Sequence, residues 1–255
     1  MSSPDILLHH EILNSYLVSQ IQRWEVIIAL MINTYRESSL HASLKRWFAE
    51  PGDLVEQQVE NYIIDLVRHP LLIEIQVGSF SSLKKKLGCL LENHPVHVVL
   101  PVTQERVIAK MDRPGGSLLQ KRVSPKKGNW YDIFYELVYI ASFLASPRFS
   151  VEAVMIKEEV IWVADGAGSW RRKGWSIADR KLVEIYSSRI FSTKQDYLDL
   201  LPDNLSKPFS VRDLAQALTI PVSLARKMAY CLRAMGALQR DDQRRGKAFL
   251  YHINR

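Results

Sequence analysis

Residues 63–76 read IIDLVRHPLLIEIQ. Two short apolar runs, Ile63 to Val67 and Leu71 to Val77, flank His69-Pro70. Proline cannot donate to a strand ladder, so it belongs in a turn between two antiparallel strands. Side chains alternate with period two, which puts Asp65 on one face with Ile63 and Val67, and Glu74 with Leu72 and Gln76. A symmetric loop centred on His69-Pro70 pairs Val67 with Leu72, and therefore Asp65 with Glu74. Opposed residues lie about 4.5–5.5 Å apart at Cβ, and like charges so placed are destabilising. A positive group is expected between them, and a hard divalent cation, Mg2+ or Mn2+, takes such oxygen ligands. The plainer alternative is a pair of acids on an exposed hairpin face. Against it, both runs are otherwise almost wholly apolar, as strands covered on both faces are, and a charge in such a strand needs a partner.

The 255 residues are 47% apolar and 24% charged, ordinary for a soluble globular protein of one large or two modest domains. Cys89 and Cys231 stand far apart with no CxxC spacing, which indicates neither a zinc cluster nor a disulfide framework. The longest apolar run, VIIALMI at 26–32, is far short of the roughly 20 residues that span a bilayer. What precedes it lacks the layout of a signal peptide. A cytoplasmic protein with no membrane partner is the expectation.

Around the hairpin the order of elements is legible. Residues 1–35 form an amphipathic helical extension, a candidate docking element for a homodimer or protein partner. A second helix starts near Thr34 or Ser38 and places Glu37, His41, Leu44, Lys45 and Phe48 on one face. As a first-turn acid, Glu37 complements the helix dipole. A strand over LVEQQVENY then precedes the hairpin. SFSSLKKKLGCLLENH is a serine-opened helix with an apolar stripe of Leu83, Leu87, Leu90 and Leu91. Lys84, Lys85 and Lys86 read as a solvated face. VHVVLPV is a buried strand and ERVIAKM a further one. Residues 111–128 read as a basic Gly/Pro loop, Trp130 onward as an apolar helix, FSVEAVMIKEEVIWVAD as two strands, and ADRKLVEIYSSRIF as a helix. WRRKGW at 170–175 fits an edge hairpin or a grip on a polyanion backbone.

Charge is informative once localised. Residues 206–255 hold ten Lys or Arg against three Asp, which equals the whole-chain excess of +7. A polyanion-binding module at the C-terminus is implied. There FSVRDLAQAL is a helix capped by Ser210, TIP a turn, and VSLARKMAYCLRAMG a second helix. Leu224, Met228, Cys231, Leu232 and Met235 face inward and Gly236 closes it. Ser223, Arg226, Lys227, Tyr230 and Arg233 lie on the opposite face or its edge. ALQRDDQRRGKAFLYHI completes the module as a β-hairpin with Arg244, Arg245 and Lys247 near its tip.

Helix, three strands, helix, strand, with an Asp on the second strand and acid-x-Gln on the third, resembles the PD-(D/E)XK nuclease superfamily. The C-terminal pattern resembles a winged helix-turn-helix, in which the second helix enters the major groove of duplex DNA and the wing contacts backbone. The pattern is also similar to a group of uncharacterised prokaryotic proteins. The resemblance implies an α/β fold: a restriction-endonuclease-like mixed sheet flanked by helices, plus a small C-terminal winged helix-turn-helix. It divides the chain into an extension (1–35), a nuclease-like core (36–128), a continuation (129–204) and the winged module (205–255). It makes Asp65 and Glu74 ligands of Mg2+ or Mn2+ together with the Ile75 carbonyl, puts Gln76 where the catalytic Lys stands, and makes Glu37 a candidate helix acid. Position 64 is Ile where the motif has Pro, a variation of little consequence. A neutral amide at Gln76 positions water but supplies no charge, so Lys45 or one of Lys84, Lys85 and Lys86 is the available cation; no spacing argument selects one. The implied function is metal-dependent hydrolysis of phosphodiesters in double-stranded DNA. The alternatives are a DNA-binding regulator that kept the fold without the chemistry, and an assembly module.

Overall fold

The computed structural model describes residues 38–254. Glu37 and the N-terminal helical extension lie outside the described residues.

Helix α1 (Ser39–Phe48) is capped by Ser38, whose hydroxyl accepts the His41 N–H at 3.3 Å. Its Leu40 and Leu44 face the sheet and are fully buried. Strands β1 (Leu54–Val59), β2 (Tyr62–Arg68) and β3 (Leu71–Ile75) form an antiparallel meander. Helix α2 (Lys84–Leu90) then crosses to β4 (Val96–Met111), which lies parallel to β3. The stripe Leu83, Leu87, Leu90 and Leu91 is buried as its spacing predicts, but no serine caps α2: Leu83 holds the N-cap position and makes no side-chain bond.

Past the meander, several sequence expectations are corrected. β4 is one strand of 16 residues, bulged between Thr103 and Glu105, rather than two. Part of the expected loop is a strand, β5 (Leu118–Val123), paired to the distal half of β4 along the edge that β3 has vacated. The expected apolar helix is broken into α3 (Phe134–Leu137) between two 3-10 turns, Trp130–Ile133 and Val138–Phe143, with Ile140 off helical geometry. FSVEAVMIKEEVIWVA is the single strand β6 (Phe149–Ala164). Its three central charges are all paired: Lys157 with Glu105, Glu158 with Arg106 and Arg180, and Glu159 with Lys121. Paired charges let a strand run on where lone ones would end it. The stretch read as a helix from Ala178 belongs to β7 (Trp175–Phe191), hydrogen-bonded along β6. Its apolar positions mimic a helical period, but pairing with a fixed neighbour overrides local propensity.

The resulting seven-stranded mixed sheet runs β1-β2-β3-β4-β6-β7, with β5 beside β4. Helix α1 covers one face, over Leu66, Ile73, Ile75, Val99, Val154 and Ile156. The other face packs on α2, α3 and the C-terminal elements. These are α4 (Lys194–Leu198), β8 (Phe209–Ser210), α5 (Val211–Ala217), α6 (Val222–Ala234), β9 (Leu238–Arg245) and β10 (Ala248–Ile253). As the residue pattern requires, Ser210 caps α5 through a reciprocal bond with Asp213, the five inward residues of α6 are buried, and Gly236 closes that helix at φ +73°. Strands β8, β10 and β9 make a second, three-stranded sheet. Its core is continuous with the main one: Phe134, Phe191, Tyr197, Leu224 and Met228 belong to a single buried cluster. The protein is thus an α/β fold with a mixed sheet flanked by helices. Among the described residues no helix is long and apolar enough to cross a membrane.

Candidate functional site

The β2-β3 register pairs Val67 with Leu72 and Leu66 with Ile73, the alignment the turn geometry demands. Continued by one residue it faces Asp65 with Glu74, but the backbone ladder stops there. In its place the Ile75 N–H donates to Asp65 Oδ2 at 2.8 Å. Strict alternation also slips at this point. Ile64 and Val67, three residues apart, share one core, while Leu66 lies in the other. On the neighbouring strand Glu56 takes a left-handed φ of +51° and drops out of the β1-β2 ladder. Here Asp65 turns towards α1, away from the face it was expected to share with Val67.

Two helices then supply the positive groups. From α1, His41 Nε2 lies 3.3 Å from Asp65 Oδ2, and one turn on Lys45, 2% exposed, pairs with Glu56 at 2.6 Å. From α2, the Lys86 ammonium pairs with Glu74 and also donates to the Ile63 carbonyl at 2.5 Å. Lys84 and Lys85 remain exposed. The structure therefore separates the four candidate cations: Lys86 pairs with Glu74, and Lys45 stands behind Asp65. Helix α1 is fixed from a distance, since Ser39 donates to Asp179 of β7 from its backbone N–H at 3.1 Å and from its hydroxyl at 2.5 Å.

The two carboxyls differ in electrostatics although both are mostly buried. Burial pushes Asp65 up, but the His41 hydrogen bond and charge, the Ile75 N–H and Lys45 outweigh it, and its carboxyl sits below the usual range. Glu74 is pushed up to about 7, first by burial and next by the negative charge of Asp65, with Lys86 offsetting only part. One acid is held ionised and its neighbour is poised near neutrality, a split typical of functional pairs. Gln76 turns away: its Nε2 donates to the Ser79 carbonyl at 3.0 Å and approaches the Ser82 hydroxyl at 3.4 Å.

The metal fit rests on these atoms. Asp65 and Glu74 present carboxylate oxygens where the β2-β3 ladder ends, close enough that the charge of Asp65 helps to raise Glu74. That donor set suits a hard cation. No cluster of three or more His, Cys, Asp or Glu side chains able to hold a metal occurs among the described residues.

On α6, Ser223, Arg226, Tyr230 and Arg233 are exposed along one stripe, with the Tyr230 ring 53% accessible. Lys227 is partly buried. Its ammonium lies 5.6 Å from the Tyr139 ring centroid and 6.0 Å from that of Tyr135, on the side of α6 that meets the 3-10 turns around α3. In the β9-β10 hairpin the Arg244 guanidinium stacks over Phe249 at 4.3 Å, Arg245 pairs with Asp213 at 3.0 Å, and Lys247 is exposed.

The residues that local reasoning did not single out are His41 and Lys86. His41 was visible on the Lys45 face of its helix, but nothing local tied it to Asp65. Lys86 was one of three adjacent lysines, and only the angle of α2 across the sheet distinguishes it.

Comparison with known proteins gives two matches. The model of a domain of unknown function, DUF8091, matches residues 38–192, from the cap of α1 to just beyond β7. An uncharacterized protein of Treponema pallidum (strain Nichols) is 34% identical over 229 residues, covering 87% of each chain. No solved structure matches.

Proposed function

The chain belongs to the DUF8091 family, and we propose that within it this protein is a DNA-binding, metal-dependent nuclease of the PD-(D/E)XK kind, directed to duplex DNA by a C-terminal winged helix. The observation that carries the reading is the Asp65/Glu74 pair: two mostly buried carboxyls where the β2-β3 ladder ends, one held ionised and the other pushed up to about 7. His41 and Lys86 each pair with one of the acids, yet Glu74 stays raised, and two neighbouring carboxyls offer a hard cation the oxygen ligands it takes. The order of helix, three-stranded antiparallel meander, helix and parallel strand around the pair supports the same reading.

Asp65 and Glu74 are the residues that would hold Mg2+ or Mn2+. Bound there, the ion supplies Lewis acidity and a water of lowered pKa. The chain's own groups do the rest. His41 and the Ile75 N–H orient the Asp65 carboxylate and keep it ionised. Lys86 brings the fixed positive charge that Gln76 does not, and stabilises the extra negative charge of the pentacovalent phosphate. The exposed stripe of Ser223, Arg226, Tyr230 and Arg233 on α6 enters the major groove, and Lys247 at the hairpin tip meets backbone phosphate. A second reading, a DNA-binding regulator without turnover, is favoured by two features: Lys86 is already paired with Glu74, and Gln76 is engaged with the Ser79 loop.

The deciding experiment is calorimetric titration with Mg2+ and Mn2+ alongside a plasmid-nicking assay, on the wild type and on the near-isosteric Asp65→Asn, Glu74→Gln double variant and Lys86→Met. The nuclease reading expects metal binding that the double variant loses, metal-dependent nicking, and a fall of about 100-fold in nicking for Lys86→Met. Wild-type protein that binds duplex DNA but neither takes up metal nor nicks would leave the regulator.

A further inference from the structure

Two stretches that are basic in the sequence, the loop at 111–128 and WRRKGW at 170–175, are brought by four strands into one region. Past the bulge at Thr103, β4 continues to Met111 between β5 and the outer half of β6, which in turn pairs with the opening of β7. Val107, Ile108, Ala109, Val160 and Val163 are buried in this extension but belong to neither of the two cores. It is therefore an arm that runs beyond both cores. Residues 103–128 and 157–182 together carry thirteen Lys or Arg against six Asp or Glu, a net of +7. The arm leaves the sheet at the carboxylate end, since β4 is parallel to β3 and runs on past the level of Ile75. Arg180 ties the two together by donating to the Val77 carbonyl at 3.2 Å.

At the tip of the β6-β7 hairpin the chain reads WRRKGW, residues 170–175. Arg172 Nε donates to the Trp175 carbonyl at 3.0 Å, and Lys173 and Gly174 both take left-handed φ, which turns the chain back into β7. Trp175 is held by Lys110, 4.7 Å from its ring centroid. Trp170 is different. Its indole is 83% exposed, the most exposed large apolar side chain described, with the Arg171 guanidinium 5.4 Å from the ring centroid. The turn thus presents an exposed aromatic ring with a guanidinium beside it.

Resting on the nuclease reading, we infer that this arm is a second nucleic-acid contact, in which Trp170 stacks on an unpaired base while Arg171 and Lys173 meet its flanking phosphates. The substrate class is then duplex DNA with a single-stranded extension. A stacked base hides its faces inside the helix, so an exposed indole gains most from a base that has left the stack. That interaction is tolerant of sequence and strong enough to measure. The net charge of the arm complements phosphate and supplies the attraction that brings the strand to it.

The test is fluorescence anisotropy of the full chain with two labelled DNAs, a blunt duplex and the same duplex carrying a single-stranded tail, together with vesicles of anionic phospholipid. The expected result is a preference of about tenfold for the tailed DNA, which Trp170→Ala abolishes and Trp170→Phe partly keeps, while both variants bind the blunt duplex as the wild type does. Tail binding should also quench tryptophan fluorescence in the wild type and less so in Trp170→Ala. Equal wild-type affinity for both DNAs, or an unchanged preference in Trp170→Ala, overturns the inference and leaves the nuclease reading standing. Vesicle binding that depends on Trp170, without tail preference, assigns the tip to a membrane surface and overturns it too. Wild-type protein that binds neither DNA sinks both readings.

Discussion

Replacing Glu74 by Gln removes a charge that the fold holds at a cost. Folded, the carboxyl is pushed from its ordinary 4.5 up to about 7 by burial and by Asp65, with Lys86 already counted. In the unfolded chain it returns to the ordinary value. Because the folded pKa is the higher one, the contribution to stability is fully present below about pH 4.5 and is lost as pH rises through about 7. In between, the folded protein keeps a proton that the unfolded chain has released. The gap corresponds to about 3 kcal/mol at about 1.4 kcal/mol per tenfold change in proton affinity. Asp65 works in the opposite sense, but below its ordinary 3.8 and hence outside this window. The assay is urea unfolding of the wild type and Glu74→Gln at a series of pH values from 5 to 8. Subtraction removes every titration the two share. Relative to the wild type, the variant is expected to gain up to about 3 kcal/mol between the acid and alkaline ends. A difference that is flat with pH would show that Glu74 is already ionised at pH 5 and that the electrostatic account of the pair is wrong.

Two further outcomes follow from the C-terminal elements and from the core they share with α3. Arg226→Ala combined with Arg233→Ala should weaken blunt-duplex binding and reduce the slope of log affinity against log salt by about 0.9 for each phosphate no longer neutralised; anisotropy at several salt concentrations reads it, and an unchanged slope would remove α6 from the interface. Phe134, fully buried in the cluster that also holds Tyr197, Leu224 and Met228, bridges the two sheets, so Phe134→Ala should cost about 3–5 kcal/mol and lower one cooperative transition monitored by circular dichroism and by tryptophan fluorescence. Two separate transitions in the wild type would contradict a shared core.

What the sequence determined by itself is whatever depends on near neighbours. A proline between two apolar runs sets a turn, the turn sets the register, and the register sets Val67 against Leu72. The Ser210 cap, the buried face of α6 and the left-handed Gly236 are likewise local, each resolved within a few residues. The tertiary structure decided what depends on who lies alongside. Residues 175–191 carry a mixed pattern that suits a helix in isolation, yet β6 offers them a full-length ladder and they form a strand. Three adjacent lysines look alike in the sequence, and only the crossing of α2 over the sheet brings Lys86, and neither Lys84 nor Lys85, onto Glu74. His41 reaches Asp65 because α1 packs across β2 and is pinned by Asp179, 140 residues from Ser39. The basic loop at 111–128 and the cations of WRRKGW are each legible in the sequence, but only the pairing of β4 with β5 and β6, and of β6 with β7, joins them into one arm. Interactions between near neighbours are written in the order of the chain, whereas those made through space depend on which faces the core has brought together.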